Sequence, residues 1–408
     1  MASTTEFDFA TASPQFLRRA RHDAAPDRSG DRSAGAARTG IVVAVEATRL
    51  LREVRGIGRY VRALLPRLAA MRPGLRLVLF AKDDADVQGL SREIGREPSR
   101  YGNATVRHVA ELPRACADLF WYPWNVAMPV PRRGAVVVTM HDVVHLALPD
   151  PRWTRWQKNY RWRRRYAAAA RRASVIIADS SFTAGEIQRF LRVGGDRIRV
   201  ALLGADDMPV PPATGGDRAL ARLGVRPPFV LAVGAADQRK NLGLLQRAMR
   251  RVVAADDRTT LVLAGPRHGA AAQANDLPWV RTLGFVSDDD LGVLYRAAAA
   301  LVMPSFYEGF GLPVLEAMRF GTPVVCARAS SLPEVAGDAA AWFEPHDESD
   351  LAAAITSVLS DDFRRARMRA AGFRRARRFS WDLTAQCTLE AFDEALRLCP
   401  PRSPRSHG

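Results

Sequence analysis

Apolar and polar positions along the chain repeat one unit, a short β-branched run, then a loop, then a segment of helical period. Ile41-Val42-Val43-Ala44-Val45 is the first such run, and its apolar residues do not alternate, as suits a strand buried on both faces. A loop and the apolar-periodic stretch Tyr60 to Leu68 follow. The pattern recurs with strands at Leu75–Phe80, Ala135–Met140 and Ser174–Ala178, the last leading into a helix from Thr183 to Leu191. Met208-Pro209-Val210-Pro211-Pro212-Ala213-Thr214-Gly215-Gly216 then interrupts any regular element and reads as a linker. Beyond it the alternation restarts. Strands are expected at Phe229–Val233, Thr260–Ala264, Ala300–Met303 and Pro323–Cys326, and helices at Leu242–Val253, Asp288–Ala298 and Pro313–Phe320. Strands alternating with helices imply an α/β chain with doubly wound parallel sheets. Two Rossmann-like halves result, with ligands expected at the carboxyl ends of the strands and in the cleft between the halves.

Length agrees with two halves, since 408 residues exceed one compact core. The formal net charge is +17, and with lysine only at Lys82, Lys158 and Lys240 nearly all of the positive charge is arginine. So basic a surface favours polyanions such as anionic lipid headgroups, phosphorylated substrates or nucleic acid. Cys116, Cys326, Cys387 and Cys399 form no CxxC pair, which argues against a zinc knuckle or disulfide framework. No apolar run reaches eighteen residues. Residues 1–38 lack the apolar core of a secretory signal and read as a disordered basic tail. A cytoplasmic protein is the expectation.

The most informative stretch runs from Pro304 to Met318. It leaves a strand, turns through Gly309 and Gly311 and enters a helix, with Pro313 expected at its first position. Glycines let backbone N–H groups approach a ligand, and a helix start favours negative charge, so Gly309, Phe310, Gly311 and Leu312 make a candidate anion site. Glu308 and Glu316 flank it. A carboxylate beside a phosphate is repelled unless it faces hydroxyl donors, so the pair suits a phosphate with a sugar on either side. The same residues also fit a plain tight turn, with Glu316 in solvent and Glu308 complementing the helix dipole.

Gly234-Ala235-Ala236-Asp237-Gln238-Arg239-Lys240-Asn241 lies between another strand and helix and places two cations at the edge of the same half. A lysine in so arginine-rich a chain points to a compact ammonium on a phosphate, and fits equally a solvated loop charge. Gly56-Ile57-Gly58-Arg59-Tyr60 is a second glycine loop, expected to face the cleft from the first half as an acceptor or phosphate loop. Neither loop completes the dinucleotide fingerprint, which disfavours NAD. His141 and His145 are spaced like zinc ligands, but the segment reads as a strand end and lacks the glutamate of the helical motif. His141 is better read as a cleft residue, binding substrate or satisfied by a neighbouring backbone group. Asp84 and Asp86 read as loop acids, and Asp288 as a helix cap.

The runs Leu283-Gly284-Phe285-Val286-Ser287-Asp288, Met303 through Met318, Gly321-Thr322-Pro323-Val324-Val325 and Ser331-Leu332-Pro333-Glu334-Val335 resemble the donor half of retaining glycosyltransferases of family 4. The first half resembles the family through Gly56–Tyr60, His141-Asp142, Ala178 to Thr183 and Leu202 to Asp206. The resemblance covers Gly40 to Leu396. It implies a GT-B fold, two Rossmann-like domains facing across a cleft: residues 39–206 on the acceptor side, 207–381 binding the nucleotide-sugar, and 382–408 as a terminal helix crossing back plus a tail. It further implies that Arg239 and Lys240 hold the donor diphosphate, Glu308 touches the donor sugar, Gly234 and Gly309–Leu312 border the donor, Glu316 takes the ribose hydroxyls, and His141 lies near the reacting sugar. No metal or other cofactor is implied. Asp237-Gln238 and Leu203-Gly204 stand where the family more often has Glu-Pro and Asn-Gly.

The expected activity is transfer of a hexose, with mannose from GDP-mannose suggested by the Arg-Lys-Asn and Ser-Leu-Pro-Glu-Val style, to a glycan or lipid-linked acceptor in cell-surface polysaccharide or glycolipid synthesis. The alternative is a basic binding protein for nucleic acid or membrane without catalysis. Arg152 to Tyr166 interleaves arginine with tryptophan and tyrosine, which suits stacked bases or a bilayer interface, and equally a helix with its aromatics inside. No nucleic-acid-binding signature accompanies it. An anionic membrane, at the inner face of the plasma membrane, or a lipid-phosphate acceptor is therefore the expected polyanion.

Overall fold

The computed structural model describes residues 40–53, 55–149, 156–212, 214–234, 237–266 and 277–400. The expected tail 1–38 and the first residues of the arginine–aromatic segment, Arg152 to Arg155, lie outside them. Two parallel sheets organise the chain. The first contains β1 (Val42–Glu46), β2 (Arg76–Ala81), β3 (Thr105–His108), β4 (Leu119–Tyr122), β5 (Ala135–Met140), β6 (Val175–Ala178) and β7 (Ile198–Val200), in the spatial order β3-β2-β1-β4-β5-β6-β7. The second contains β8 (Phe229–Val233), β9 (Thr260–Ala264), β10 (Val280–Gly284), β11 (Ala300–Met303), β12 (Val324–Ala327) and β13 (Ala340–Phe343), in the order β10-β9-β8-β11-β12-β13. Register is set by apolar side chains that helices cover on both faces: Val45 of β1 pairs with both Leu79 and Trp121, and Leu301 of β11 with Leu231 and Val324.

The strands that the hydrophobic pattern leaves unannounced are mostly edges. Thr105–His108, Ile198–Val200, Val280–Gly284 and Ala340–Phe343 each have one neighbour in their sheet, so they need less apolar surface and carry a weaker signal. The central β4 is different. Its four residues are all buried, but they are too few to show a period.

Three local expectations are corrected. Leu312, not Pro313, is the first residue of the helix Leu312–Arg319, with Gly311 as N-cap and Pro313 at the second position, where its missing N–H also costs nothing. Ser287 rather than Asp288 caps the helix Asp288–Ala297, its hydroxyl accepting from the Asp290 N–H at 3.1 Å. Asp84 and Asp86 lie in the first turn of the helix Asp84–Arg96, not in a loop, and Asp86 pairs with Arg52 at 2.9 Å.

The final helix, Trp381–Leu398, packs on the first half, against the helix Ile57–Met71 and strands β5 and β6. Its start is tight: a Cβ on Gly204 would lie 2.2 Å from the Trp381 nitrogen, so only glycine permits the approach. Arg72 grips Asp393 with two hydrogen bonds of 2.7 and 2.6 Å. The helix thus ties the end of the chain to the first sheet.

Candidate active site

In each sheet the strand order reverses at one place, between β1 and β4 and between β8 and β11. Loops leaving two such strands diverge and open a crevice at their carboxyl ends. In the second sheet those loops carry Arg239 and Lys240 after β8, and Glu308 to Gly311 after β11. The topology therefore brings together residues about seventy apart in sequence.

The loop after β8 is shaped by Gly234 and Asp237. Gly234 has φ 133°, and Lys240 folds over it so closely that a Cβ would sit 3.0 Å from the lysine Cε. Asp237 caps the short 3-10 turn Gln238–Lys240 by accepting the Arg239 N–H at 3.1 Å. The Phe306 N–H donates to the Arg239 carbonyl at 2.8 Å, stitching the two loops together.

Glu308 is where the charges meet. Lys240 Nζ lies 2.7 Å from Glu308 Oε1 and Arg239 Nη1 3.4 Å from Oε2, with all but Arg239 buried. Burial alone would push the carboxyl group up, but Lys240 and then Arg239 outweigh it and hold it below the ordinary glutamate value. Glu308 is thus an ionised acceptor. The Ser330 hydroxyl accepts its N–H at 2.9 Å, and the Ser331 hydroxyl bridges the carbonyls of Glu308 and Phe310 at 2.9 and 2.8 Å. The loop that follows is braced from beneath, with Phe310 buried against Phe379 and Gly311 at φ 105° against Leu332. No group among the described residues accepts from the N–H groups of Gly309, Phe310, Gly311 or Leu312.

Glu316, one turn further on, is buried with both oxygens taken. Arg59 of the first half bonds to Oε1 and the Tyr295 hydroxyl donates to Oε2 at 2.7 Å. Arg59 also holds Asp207, with its Nε 2.9 Å from Oδ2, and Asp207 accepts from Trp381 Nε1 at 2.7 Å. Burial pushes the Asp207 carboxyl up, yet Arg59 and Trp381 bring it below its ordinary value.

The glycine loop of the first half differs from expectation. Gly56 is the N-cap of the helix Ile57–Met71, so Gly58, Arg59 and Tyr60 occupy its first turn. Gly58 is required locally, since a Cβ would fall 1.5 Å from the Glu53 carbonyl oxygen. Of these residues Arg59 reaches the second sheet's half, through Glu316. Tyr60 is core, not cleft: it is buried against Trp121, His141 and Trp381, and its hydroxyl lies 3.2 Å from Thr139 Oγ1.

His141 follows β5 and is likewise turned inward. Its Nδ1 lies 2.6 Å from Asp179 Oδ2 and its Nε2 2.9 Å from the Pro123 carbonyl oxygen, so both ring nitrogens are occupied. Burial disfavours its charge, but Asp179 outweighs burial and the ring keeps its proton above the ordinary histidine value. Of the two readings of His141, the satisfied one describes its ring here. What His141 brings to the site is its backbone, because the carbonyl packs directly on Gly309.

Residues for which the sequence suggests no part in the site complete the arrangement. Ser180 and Thr183 donate to the Gly309 carbonyl, and Glu334 accepts the N–H groups of Ser181 and Phe182 at 2.9 and 3.2 Å, across the two halves. Arg55 reaches the Val286 carbonyl and Asp288, with its guanidinium 4.6 Å above the Phe285 ring. Tyr295 reads as an ordinary helical core position; nothing in its spacing reports where the hydroxyl goes. Among the described residues no group of three or more His, Cys, Asp or Glu is placed to hold a metal ion.

With this geometry in hand, comparison with known proteins gives consistent matches. A profile of glycosyl transferases group 1 matches residues 218–375, and one of glycosyltransferase family 4 matches residues 54–207. O-antigen chain mannosyltransferase B of Escherichia coli is 32% identical over 375 residues, which cover 83% of this chain and 95% of that protein. The serotype-specific mannosyltransferase WbdA of Escherichia coli is 29% identical over 279 residues, 64% of this chain but 34% of that much longer protein. Among solved structures, Anabaena HepE in complex with UDP and glucose superimposes with a TM-score of 0.66 at 19% identity, covering 86% of this chain and 99% of that one.

Proposed function

The chain belongs to the family 4 glycosyltransferases, and on that premise we propose that it is a retaining mannosyltransferase that moves mannose from GDP-mannose to a glycan or lipid-linked acceptor in cell-surface polysaccharide synthesis. The observation that carries the donor site is the convergence, at the switch point of the second sheet, of Arg239, Lys240, Glu308 and the N–H groups of Gly309 to Leu312, which have no acceptor among the described residues. Mannose is supported by the two mannosyltransferase relatives. The family membership replaces the alternative of a basic binding protein without catalysis.

In this reading the bond from the anomeric carbon to the diphosphate oxygen breaks and a glycosidic bond to the acceptor oxygen forms, while the acceptor proton passes to the departing phosphate. Negative charge grows on that phosphate, where the two cations and the glycine-loop amides sit pre-oriented, and such fixed electrostatics are commonly the largest catalytic contribution. They balance this charge without a divalent ion, so transfer is expected to persist in a chelator. Glu308, ionised beside Lys240, is placed to accept from sugar hydroxyls and to steady the positive charge developing at the anomeric carbon. Glu316 exchanges a present partner for the ribose hydroxyls. Attack on the face that the phosphate leaves retains configuration.

Incubating the protein with GDP-mannose, UDP-glucose and ADP-glucose and following sugar release tests the donor. Release from GDP-mannose alone is the predicted result, and release only from another donor overturns the mannose assignment. Proton NMR of the first-formed product reads its anomeric configuration.

We also propose that the helix Trp156–Arg172 lies on an anionic membrane. Lys158, Arg161, Arg163, Arg164, Arg165, Arg171 and Arg172 are all exposed on it, while Tyr166 is buried and Trp162 stacks on His145 at 4.5 Å. No helix of the described residues is long and apolar enough to cross a membrane. Flotation with phosphatidylglycerol vesicles, and none with neutral ones, is expected.

A further inference from the structure

The carbonyl of Gly309 belongs to the donor half, yet it is held from the acceptor half. The Ser180 hydroxyl donates to it at 2.6 Å and the Thr183 hydroxyl at 3.0 Å, and all three residues are buried. Gly309 permits this approach because it has no side chain: a Cβ would lie 1.8 Å from the His141 carbonyl oxygen and 3.1 Å from the Asp142 Cβ. Around this contact the same segment docks by other means. Glu334 takes the N–H groups of Ser181 and Phe182, and the Phe182 ring meets Tyr307 edge-on at 5.4 Å.

A peptide unit is planar and trans, so the carbonyl of Gly309 and the N–H of Phe310 point in opposite directions. Holding one therefore orients the other. The Phe310 N–H donates to nothing among the described residues, although its residue is buried. It is one of the amides assigned above to the donor.

We propose that Ser180 and Thr183 are positioning residues for the transfer: by clamping the Gly309 carbonyl they turn the Phe310 N–H toward the donor diphosphate, so the anion site of one half is completed only when the other half docks on it. Closure then both brings the acceptor close and finishes the charge-stabilising surface, so a donor bound to an undocked half meets an incomplete site. The inference rests on the donor assignment made above.

Thr183→Val removes the hydroxyl while keeping its shape, and Thr183→Ser keeps the hydroxyl. Ser180→Ala is less clean, because the Ser180 hydroxyl also caps the helix Ser181–Leu191. The clamp predicts that Thr183→Val lowers kcat for sugar transfer by about tenfold to a hundredfold with a smaller change in donor KM, as a misdirected amide does, while Thr183→Ser stays within about threefold of wild type. A purely structural threonine would lower the melting temperature and leave kcat per folded molecule unchanged, and that result overturns the proposal, as does wild-type kcat in Thr183→Val. Calorimetry with GDP on Lys240→Ala separates the two assignments. Lost GDP binding there, beside an unaffected Thr183→Val enzyme, removes the clamp alone, whereas intact GDP binding in Lys240→Ala removes the donor assignment on which the clamp stands.

Discussion

Arg59 and Glu316 sit on opposite halves of the molecule and form one buried ion pair, with 11% and 7% of their side chains exposed. Asp207 fixes the far side of the guanidinium, and Tyr295 satisfies the second glutamate oxygen. The pair therefore does two jobs: it joins the halves, and it occupies the carboxylate assigned to the donor ribose. Removing Arg59 leaves the buried Glu316 carboxylate without its cation, which costs about 3 to 5 kcal/mol. Urea unfolding of Arg59→Leu is expected to show a loss of that size.

Lys240 makes the corresponding contact with Glu308. Lys240→Ala takes the nearer of two cations from the buried Glu308 and, on the proposed donor site, from the leaving phosphate. Transfer should fall by roughly 2 to 4 kcal/mol in transition-state stabilisation, read from kcat/KM. Wild-type kcat/KM in this variant would show that the cation does not touch the reacting groups.

Acid should loosen the same contacts. Glu308 and Asp207 both ionise below their ordinary values, 4.5 and 3.8, because the attraction of their cationic partners exceeds the cost of burial. A carboxylate lowered in the folded state adds stability that is complete above its unfolded value and is lost as pH falls through its folded one. Unfolding free energy should thus fall as pH drops below about 4.5, and Glu308→Gln should flatten part of that slope. A slope unchanged in Glu308→Gln contradicts the assigned charge.

Gly309→Ala asks whether the halves need their close approach. Its Cβ meets a backbone oxygen at 1.8 Å, and that oxygen cannot swing aside as a flexible side chain would. The halves must part locally, at a cost of about 1 to 3 kcal/mol. Far-ultraviolet circular dichroism should keep its helical signal while sugar transfer falls to background.

Much of this is legible in the sequence. Apolar runs such as Phe229 to Val233 and the glycine turn before Leu312 announce themselves, because a central strand and a helix start each demand particular residue types locally. The convergence of Lys240 on Glu308 was legible only as two loops on one sheet edge. The pairing of Arg59 with Glu316 was not, since residues 257 apart in sequence meet only once both halves are built and docked. His141 shows the limit most clearly: a histidine at a strand end reads the same whether its ring faces the cleft or, as here, Asp179 behind it. The hydroxyls of Ser180 and Thr183 were hidden for a related reason, as a helix start uses such residues whether or not they also reach another loop.

Titration calorimetry of the purified protein with GDP, UDP, ADP and dTDP, repeated on Lys240→Ala and Glu316→Ala, reads the donor site itself. Wild type is expected to bind GDP in preference to the others, and each variant to lose roughly 2 to 4 kcal/mol of that affinity. Binding of GDP that is undiminished in both variants would contradict a donor site built on these residues.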